Sequence, residues 1–454
     1  MTDVRAGEGA TALLMALNGF LLLMAYSCIK PVREALILAR AGGAEYKVYM
    51  AGATALVLLG AVPAYARVSR HLPRNRLVVG VTLFFAANLA GFYTVGLTVG
   101  STLPLALGFY LWIAVFNMMI VAQFWAFAND LYSEEAGKRL FPLLGLGTSV
   151  GALAGAALAR ALIVRVGALQ MMPVAGAIPL TSAGVSQWVH AREVGRATTR
   201  QAKDAATSAI GGSAADAFRI VTKQRYLLLI AMFSLLFTMV KTNGDYVLAR
   251  VVEEGAKAAV ATGAIRPTGV QDYIGGVFAS YSFWVDMISL VIQAFVVSRV
   301  VKHLGLGFAF LVLPLIALTD GVVMAAWPVL AAVAVGKTAE SAVDYSFNNT
   351  VRNVLWLPTS RRAKYLAKQA SDTFFVRMGD VSSAALVFFG VRQLGMPVRA
   401  IAVVNVMLVS AWFLLARAIL NEHARLARGE HNVKAGRAAQ TEPWTVARFV
   451  HSSH

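Results

Sequence analysis

Long apolar runs, separated by short polar segments, occupy most of the chain. A helix that crosses the hydrocarbon core of a membrane needs about 20 mostly apolar residues. No pattern of a cleavable leader precedes the first run, so we interpret it as a retained span. The pattern predicts twelve transmembrane helices, near residues 11–29, 48–66, 77–99, 103–128, 141–165, 168–189, 226–248, 273–300, 304–326, 328–352, 368–391 and 397–420.

Basic residues in the connections predict the orientation, because Lys and Arg accumulate on the cytoplasmic side. The connections at 67–76 and 361–364 are basic, whereas the tight turns near Gly100 and Trp327 carry no basic residue. Connections that follow even-numbered spans are therefore predicted to be cytoplasmic. Both termini are then predicted to lie in the cytoplasm.

The longest polar interruption, at 190–225, is basic and divides the twelve runs into six and six. We predict a short cytoplasmic N-terminus at 1–10, an N-terminal bundle at 11–189 and a C-terminal bundle at 226–420. The interruption is interpreted as a cytoplasmic linker. The basic tail at 421–454 is expected to be soluble and disordered and to interact with anionic lipid headgroups.

The two halves also resemble each other in sequence. The segment "ALILAR" at 35–40 is similar to "DYVLAR" at 245–250. Two related six-helix halves are typical of major-facilitator transporters, whose substrate sites lie between the halves near the membrane midplane. We therefore predict an all-α membrane protein with twelve transmembrane helices in two pseudo-symmetric six-helix bundles.

Composition supports this prediction. The chain has 41 Lys and Arg against 23 Asp and Glu, a net charge of +18, and it is 58% hydrophobic with only 14% charged residues. So few charges cannot cover a water-soluble fold of this size. Because the basic residues lie between apolar runs, they indicate membrane orientation and not nucleic-acid binding. The single cysteine, Cys28, excludes an intramolecular disulfide and is interpreted as a packing residue.

Several ionisable side chains lie inside the apolar runs, where each costs at least about 2.5–3.5 kcal/mol unless it meets a partner or a water-filled cavity. In the tenth run, Lys337, Glu340, Asp344 and Asn348 recur at i, i+3, i+7 and i+11, which places them along one side of a helix. We expect that side to face the cleft between the bundles. A buried Lys337–Glu340 ion pair without a ligand is the alternative.

The first and seventh runs each contain a residue that weakens a helix. Pro31 removes a backbone donor, and Gly244 lowers helix propensity, so we expect a kink or break at each position. Interrupted helices in matching positions of two halves indicate a transport site; helix ends with snorkelling side chains are the alternative. The candidates at these positions are Lys30, Arg33 and Glu34 in the first run, and Lys241, Asn243 and Asp245 in the seventh.

Three further runs carry acids. In the eleventh run, Arg377 and Asp380 stand at i and i+3 and are expected to pair, with Asp372 nearby. Asp286 and Asp320 are single acids in apolar runs. Either they take part in proton coupling or they are neutral, hydrogen-bonded carboxyl groups.

The sequence lacks the motifs of an enzyme or a metal centre. Glycines at 145–155 superficially resemble a nucleotide loop, but Gly151 and Gly155 form a GxxxG pattern inside a span, which favours helix packing. No Walker lysine, HExxH or paired Cys and His ligands occur, and the histidines lie in loops or the tail. We expect no metal, no cofactor and no catalytic site.

Two segments carry a family resemblance. "FWAFANDLYSEEAGKRLFPLLGLGTSVGALAG" at 124–155 and "KPVREALIL" at 30–38 resemble the ATP/ADP translocases, the non-mitochondrial nucleotide transporters of plastids and intracellular bacteria, and their wider bacterial relatives. The first segment is the specific one, and it marks the superfamily and not a substrate. The resemblance implies a membrane carrier that exchanges nucleotides.

Carried over by position, the resemblance retains some functional charges and loses others. The family's lysine at the end of the first span falls on Arg33, and its acid in the seventh span falls on Asp245. The acid of the fourth span falls near Ile113, and the lysine of the eleventh span falls on Asp380. The change from a lysine to Asp380 reverses the charge at that position and would repel a nucleotide unless Arg377, one turn away, supplies the positive charge.

These observations lead to the hypothesis that the protein is a secondary transporter that works by alternating access. We expect it to lie in a bacterial inner membrane. The expected substrate is an anionic organic phosphate, first of all ATP or ADP. Fixed cations in a cleft of low dielectric constant donate charge-assisted hydrogen bonds to phosphate. The acids hold these cations in the empty site. The predicted substrate-binding residues are Lys30, Arg33, Lys241, Asn243, Lys337, Asn348 and Arg377, and the charge-balancing residues are Glu34, Asp245, Glu340, Asp344 and Asp380.

Two other functions remain open at this point. A proton-coupled carrier of a different metabolite would use Asp245, Asp380 or Glu340 as its titrating group. A membrane anchor or accessory subunit would bind a partner through its basic linker and tail. The second is disfavoured because an anchor has no use for costly buried ions.

Overall fold

A computed structural model describes residues 8–71, 74–194, 214–356, 359, 367–368 and 370–441, and the regular structure of these residues is helical throughout. Two sets of long helices follow one another along the chain. The first set comprises α1 (Gly9–Leu38), α2 (Gly43–His71), α3 (Arg74–Thr98), α4 (Leu103–Leu131), α5 (Glu134–Val166) and α6 (Met171–Val194).

The second set is less regular, because it contains π-helical turns at Ile292–Val296, Asp344–Asn348, Ser371–Phe375 and Phe388–Gln393. Such turns insert an extra residue into a helix and are frequent at functional sites. The set comprises the short α7 (Ala214–Lys223), α8 (Arg225–Ala261), α9 (Val270–Val291), α10 (Val297–Ala326), α11 (Leu330–Val343), α12 (Asn349–Val354), α13 (Val376–Val387) and α14 (Val398–Thr441).

Nine helical stretches of the described residues are long and apolar enough to cross a membrane. One of them, Pro267–Ala326, is 60 residues long and contains the predicted eighth and ninth spans. Gly305, with a φ of 81°, interrupts the regular helix between those two spans. The all-helical membrane fold is confirmed, and the predicted count of twelve is consistent with it.

Helix α5 packs against α1 through a stripe of glycines. A Cβ atom placed on Gly151 would lie 2.2 Å from the carbonyl oxygen of Phe20, and one on Gly155 would lie 2.2 Å from that of Met24. The spacing of four residues on both helices keeps the two backbones in register and close together. The helix-packing interpretation of the GxxxG pattern is therefore confirmed.

We predict that Gly151→Val destabilises the protein by about 3 kcal/mol or more, since the added side chain forces two backbones apart. Gly145→Val is the matched control, because a Cβ atom at Gly145 meets no other atom within 4 Å. Thermal unfolding of the purified variants tests this expectation. Equal melting temperatures for the two variants would show that the stripe does not set the helix distance.

The two bundles join at the end that carries the α1–α2 connection, which we call the joined end. There the backbone N–H of Ala44, in the first turn of α2, donates a hydrogen bond to Glu253 Oε1 at 2.8 Å. The N–H of Ala168, just before α6, donates to Asp272 Oδ1 at 2.7 Å. In both contacts a carboxylate of the second bundle meets a donor near a helix start in the first bundle, where the helix dipole favours an anion.

Apolar packing follows the same division. The cluster that contains Cys28 includes buried side chains from both bundles. A second cluster belongs to the second bundle alone, and a third belongs to the first bundle alone. Cys28 is fully buried, in agreement with the packing interpretation. The bundles are thus joined at one end through both apolar and polar contacts.

The expected breaks at Pro31 and Gly244 are wrong. Helix α1 continues through Pro31, and α8 continues through Gly244. A proline is tolerated inside a membrane helix that is supported by its neighbours, and α1 packs against α4, α5, α6 and α9. Gly244 has a packing role, because a Cβ atom there would lie only 2.9 Å from Lys337 Nζ.

Two of the predicted polar segments contain helices. Helix α7 lies within the predicted linker, and Phe218 on it stacks on Phe375 with ring centroids 6.1 Å apart. The disorder expected of the tail is wrong for residues 421–441, because α14 continues to Thr441. The remaining linker residues, 195–213, and the last residues, 442–454, lie outside the described part of the chain.

Candidate functional site

Two adjoining cavities lie between the bundles next to the joined end, with volumes of about 210 and 310 Å³. Five residues line both of them: Arg33, Lys47, Tyr110, Lys241 and Asp245. They come from α1, α2, α4 and α8, so both bundles contribute. The predicted convergence of charges from the two halves is present for these side chains.

Glu34 organises the cations of the first bundle. Its side chain is only 3% exposed, and it accepts hydrogen bonds from the adjacent Arg33 guanidinium. Lys47 Nζ lies 2.9 Å from the other carboxylate oxygen of Glu34. The Arg33 guanidinium also lies over the Tyr110 ring, 4.5 Å from its centroid. One acid therefore holds two cations, and the surplus positive charge faces the cavities.

Lys241 supplies the corresponding cation from the second bundle. Its Nζ atom lies 2.6 Å from Asp344 Oδ2 and 5.0 Å from the centroid of the Tyr345 ring. Asp344 Oδ1 accepts a hydrogen bond from Asn348 Nδ2 at 2.8 Å. These contacts fix the direction of Lys241, and about 30% of its side chain stays exposed to the cavities.

Arg377 and Asp380 form the predicted i, i+3 pair, with 3.1 Å between Nη1 and Oδ2. Thr242 Oγ1 donates a second hydrogen bond to Asp380 at 3.1 Å. Both members of the pair line the larger cavity. Because Arg377 is 41% exposed at its side chain, its positive charge is available one turn before Asp380, the position where the resemblance places a lysine.

The ionisable residues that line the two cavities are predominantly basic. Five are cations and three are acids, and Asp344, which contacts Lys241 from behind the cavities, is a fourth acid, so a surplus of one positive charge remains. Aromatic rings also line the cavities, and they include Tyr110, Tyr281 and Phe278. A site of this kind favours a ligand that has both negative charge and a flat ring. The cations are Lys30, Arg33, Lys47, Lys241 and Arg377, and the acids are Glu34, Asp245 and Asp380.

Lys337 and Glu340 lie behind the cavities and do not line them. Lys337 is fully buried, with Nζ 3.0 Å from Glu340 Oε2 and 3.2 Å from Asp245 Oδ1. The expectation that this face of the tenth span lines the cleft is wrong, because it packs against α8 where Gly244 leaves room for the lysine. The cluster still reaches the cavities, through the partly exposed Asp245.

The two candidate asparagines are also structural neighbours of the cavities. Asn243 is fully buried, and its Oδ1 atom accepts a hydrogen bond from Ser383 Oγ at 2.6 Å. Asn348 is buried and binds Asp344, as described above. Asn243 therefore joins α8 to α13, and Asn348 supports Asp344, the partner of Lys241, from within the same helical turn.

Lys47 and Tyr110 are cavity residues that the sequence reasoning missed. The second span was predicted to begin at residue 48, which left Lys47 in a loop, whereas α2 begins at Gly43. Lys47 is an ionisable residue within that helix, and a corrected boundary would have identified it. Tyr110 had no such signal, because an aromatic residue in an apolar helix is ordinarily a packing residue.

The model of the family described as TLC ATP/ADP transporter matches residues 109–423. The chain belongs to this family. The match covers most of α4 to α14, including the residues of α8, α11 and α13 that surround Lys241, Lys337 and Arg377.

Similar proteins agree with this assignment. The chain is 21% identical over 343 residues to ADP,ATP carrier protein 1 of Chlamydia pneumoniae, a match that spans 66% of this chain and 64% of that carrier. Among solved structures, the nucleoside transporter NupG has a TM-score of 0.62 at 11% identity, with 90% of this chain and 98% of that chain covered.

A bacterial homologue of the human lysosomal transporter Spinster, in an inward-facing and unoccupied conformation, has a TM-score of 0.56 at 13% identity, with 92% of this chain and 99% of that chain covered. At such low identities these likenesses show the fold alone. The fold is that of the major-facilitator-like transporters, as the six-plus-six pattern predicted.

Proposed function

We propose that this protein is a secondary transporter that exchanges ATP and ADP across a membrane by alternating access. The observation that carries the proposal is the shared pair of cavities, to which both bundles contribute cations and in which positive charge exceeds negative charge. Membership of the TLC ATP/ADP transporter family supports a nucleotide as the substrate.

In the proposed binding mode, the cations contact the phosphates and the rings contact the base. Arg33 suits a phosphate group because its planar guanidinium donates two parallel hydrogen bonds. Lys47 and Lys241 add charge from the two sides of the cavity. Tyr110, beside Arg33, offers a face on which an adenine ring can stack.

The same geometry explains why exchange is favoured over net flow. In the empty state, Glu34 and Asp344 hold Arg33, Lys47 and Lys241 in place. A cavity with surplus positive charge is costly to enclose within the membrane unless an anion occupies it. The bundles therefore reorient readily only when nucleotide is bound.

We place the joined end on the outer side of the membrane. Arg67, near the end of α2, and the basic residues of α7, Arg219 and Lys223, lie at the opposite end of the helices. Because basic connections are cytoplasmic, both termini face the cytoplasm, and the match to a bacterial carrier supports the inner membrane. Opening toward the outside then requires the contacts of Glu253 and Asp272 to separate.

Counterflow into liposomes tests the proposed function. Vesicles that contain the purified protein and unlabelled ADP are expected to take up labelled ATP, whereas vesicles without internal nucleotide are expected to take up little. Labelled inorganic phosphate serves as the control substrate, because it has charge but no base. No uptake of ATP or ADP by vesicles that contain folded protein would overturn the proposal.

A further inference from the structure

Asp320 is a buried acid outside the cavities. It lies on α10, is only 4% exposed, and points toward α11. Its Oδ1 atom occupies the position that a side chain on Gly336 would need, because a Cβ atom there would lie 1.8 Å from it. No donor of the described residues reaches this oxygen. A buried carboxylate oxygen without a donor is costly.

Asp320 has another acid, Glu340, as a neighbour. Asp320 Oδ1 lies against Gly336, which is one turn of α11 before Glu340, and the two carboxyl groups interact. When two carboxyl groups lie side by side in a buried site, their repulsion opposes the ionisation of both, so one proton is retained between them at neutral pH.

The charges around the pair point to the same protonation state. Lys337 Nζ lies 3.0 Å from Glu340 Oε2 and 3.2 Å from Asp245 Oδ1. Its charge also interacts with Asp320, so one cation is shared by three acids. The neighbouring α14 approaches Gly321, next to Asp320, with the uncharged Val406. A single shared proton lowers the excess negative charge of this cluster from two to one.

We propose that Asp320 and Glu340 form a proton-binding site that adjusts the charge of the substrate cavities through Lys337 and Asp245. With the proton bound, the Asp320–Glu340 pair carries one negative charge, and Lys337 is shared between this pair and Asp245. When the proton leaves to water, the Asp320–Glu340 pair gains a negative charge and draws Lys337 away from Asp245. Asp245, which lines both cavities and is 34% exposed, then opposes the binding of an anion.

Infrared spectroscopy tests the proton site without any substrate. The protein in lipid nanodiscs is expected to show the carbonyl stretch of a protonated carboxyl group that disappears as the pH is raised. Asp320→Asn should lack this band. Asp372→Asn should keep it, since Asp372 is 43% exposed and pairs with Arg352 at 2.9 Å. An unchanged band in Asp320→Asn would overturn the proposal.

The coupling to the cavities is tested by ADP binding, and this arm rests on the proposed function. Binding to the wild-type protein should weaken about tenfold between about pH 7 and about pH 9, where the ADP phosphates are already ionised. Asp320→Asn should bind ADP with the same affinity across this range. Gly336→Ala should do so as well, because its methyl group displaces the Asp320 carboxyl group.

The outcomes separate the two proposals. Wild-type binding that does not change with pH would overturn the coupling between the proton site and the cavities. A complete lack of ADP binding at every pH would instead overturn the proposed nucleotide site. The infrared result then decides the existence of the shared proton on its own.

Discussion

Arg33→Ala is expected to lower the rate of ATP uptake in exchange for ADP at least about 100-fold. Two charge-assisted hydrogen bonds from the guanidinium to a phosphate contribute about 3 kcal/mol or more, which corresponds to this factor. The substitution also releases Glu34 from one of its two cations. Glu34 then neutralises Lys47 alone, and the surplus charge of the cavities falls.

Two variants show whether the geometry or only the charge of Arg33 is needed. Arg33→Lys retains the charge but loses the planar guanidinium that donates two parallel hydrogen bonds. We expect this variant to recover only part of the uptake. Arg425→Ala is the matched control, because Arg425 is 70% exposed on α14 and pairs only with Glu422 in the same helix. Initial rates of counterflow at equal protein content measure the effect. Equal losses in Arg33→Ala and Arg425→Ala would remove Arg33 from the site.

Lys337→Met is expected to destabilise the protein by about 3–5 kcal/mol, because it leaves buried carboxylates without their cation. Lys337 is fully buried between Asp245 and Glu340, so no water replaces the lost charge. Thermal unfolding of the purified variant in detergent measures the loss. A melting temperature equal to that of the wild-type protein would show that the ion pairs do not stabilise the second bundle.

A double variant separates the charge from the packing of Lys337. Lys337→Met combined with Glu340→Gln removes one of the uncompensated acids and is expected to recover part of the stability. If the loss arises from packing alone, the stability losses of the two substitutions are expected to add, and Glu340→Gln recovers no stability. The coupling between them is obtained from a double-mutant cycle of melting data.

Most of the fold followed from the hydrophobic pattern. Runs of about 20 apolar residues define membrane helices because every backbone polar group in lipid must be satisfied inside the helix. The spacing of Gly151 and Gly155 similarly predicted where α5 meets α1. The breaks expected at Pro31 and Gly244 were wrong, since neighbouring helices and Lys337 stabilise these positions. The helix propensity of a single residue does not include such contacts between helices.

The candidate site was predictable in its chemistry but less so in its geometry. Arg33, Lys241 and Arg377 line the cavities, as the cost of burying charge suggested. Periodicity placed Lys337 on a polar helix face without showing which neighbour that face meets, and the neighbour is α8. Lys47 was missed because the predicted start of its helix was five residues too late.

The central claim is that both bundles share one site for an anionic nucleotide, and equilibrium binding of ADP to the purified protein in nanodiscs tests it most directly. The account predicts one ADP per chain, a large loss of affinity in both Arg33→Ala and Lys241→Ala, and little competition from adenosine, which lacks phosphate. Two independent sites, each lost in only one of these variants, would contradict it, as would adenosine binding as tightly as ADP.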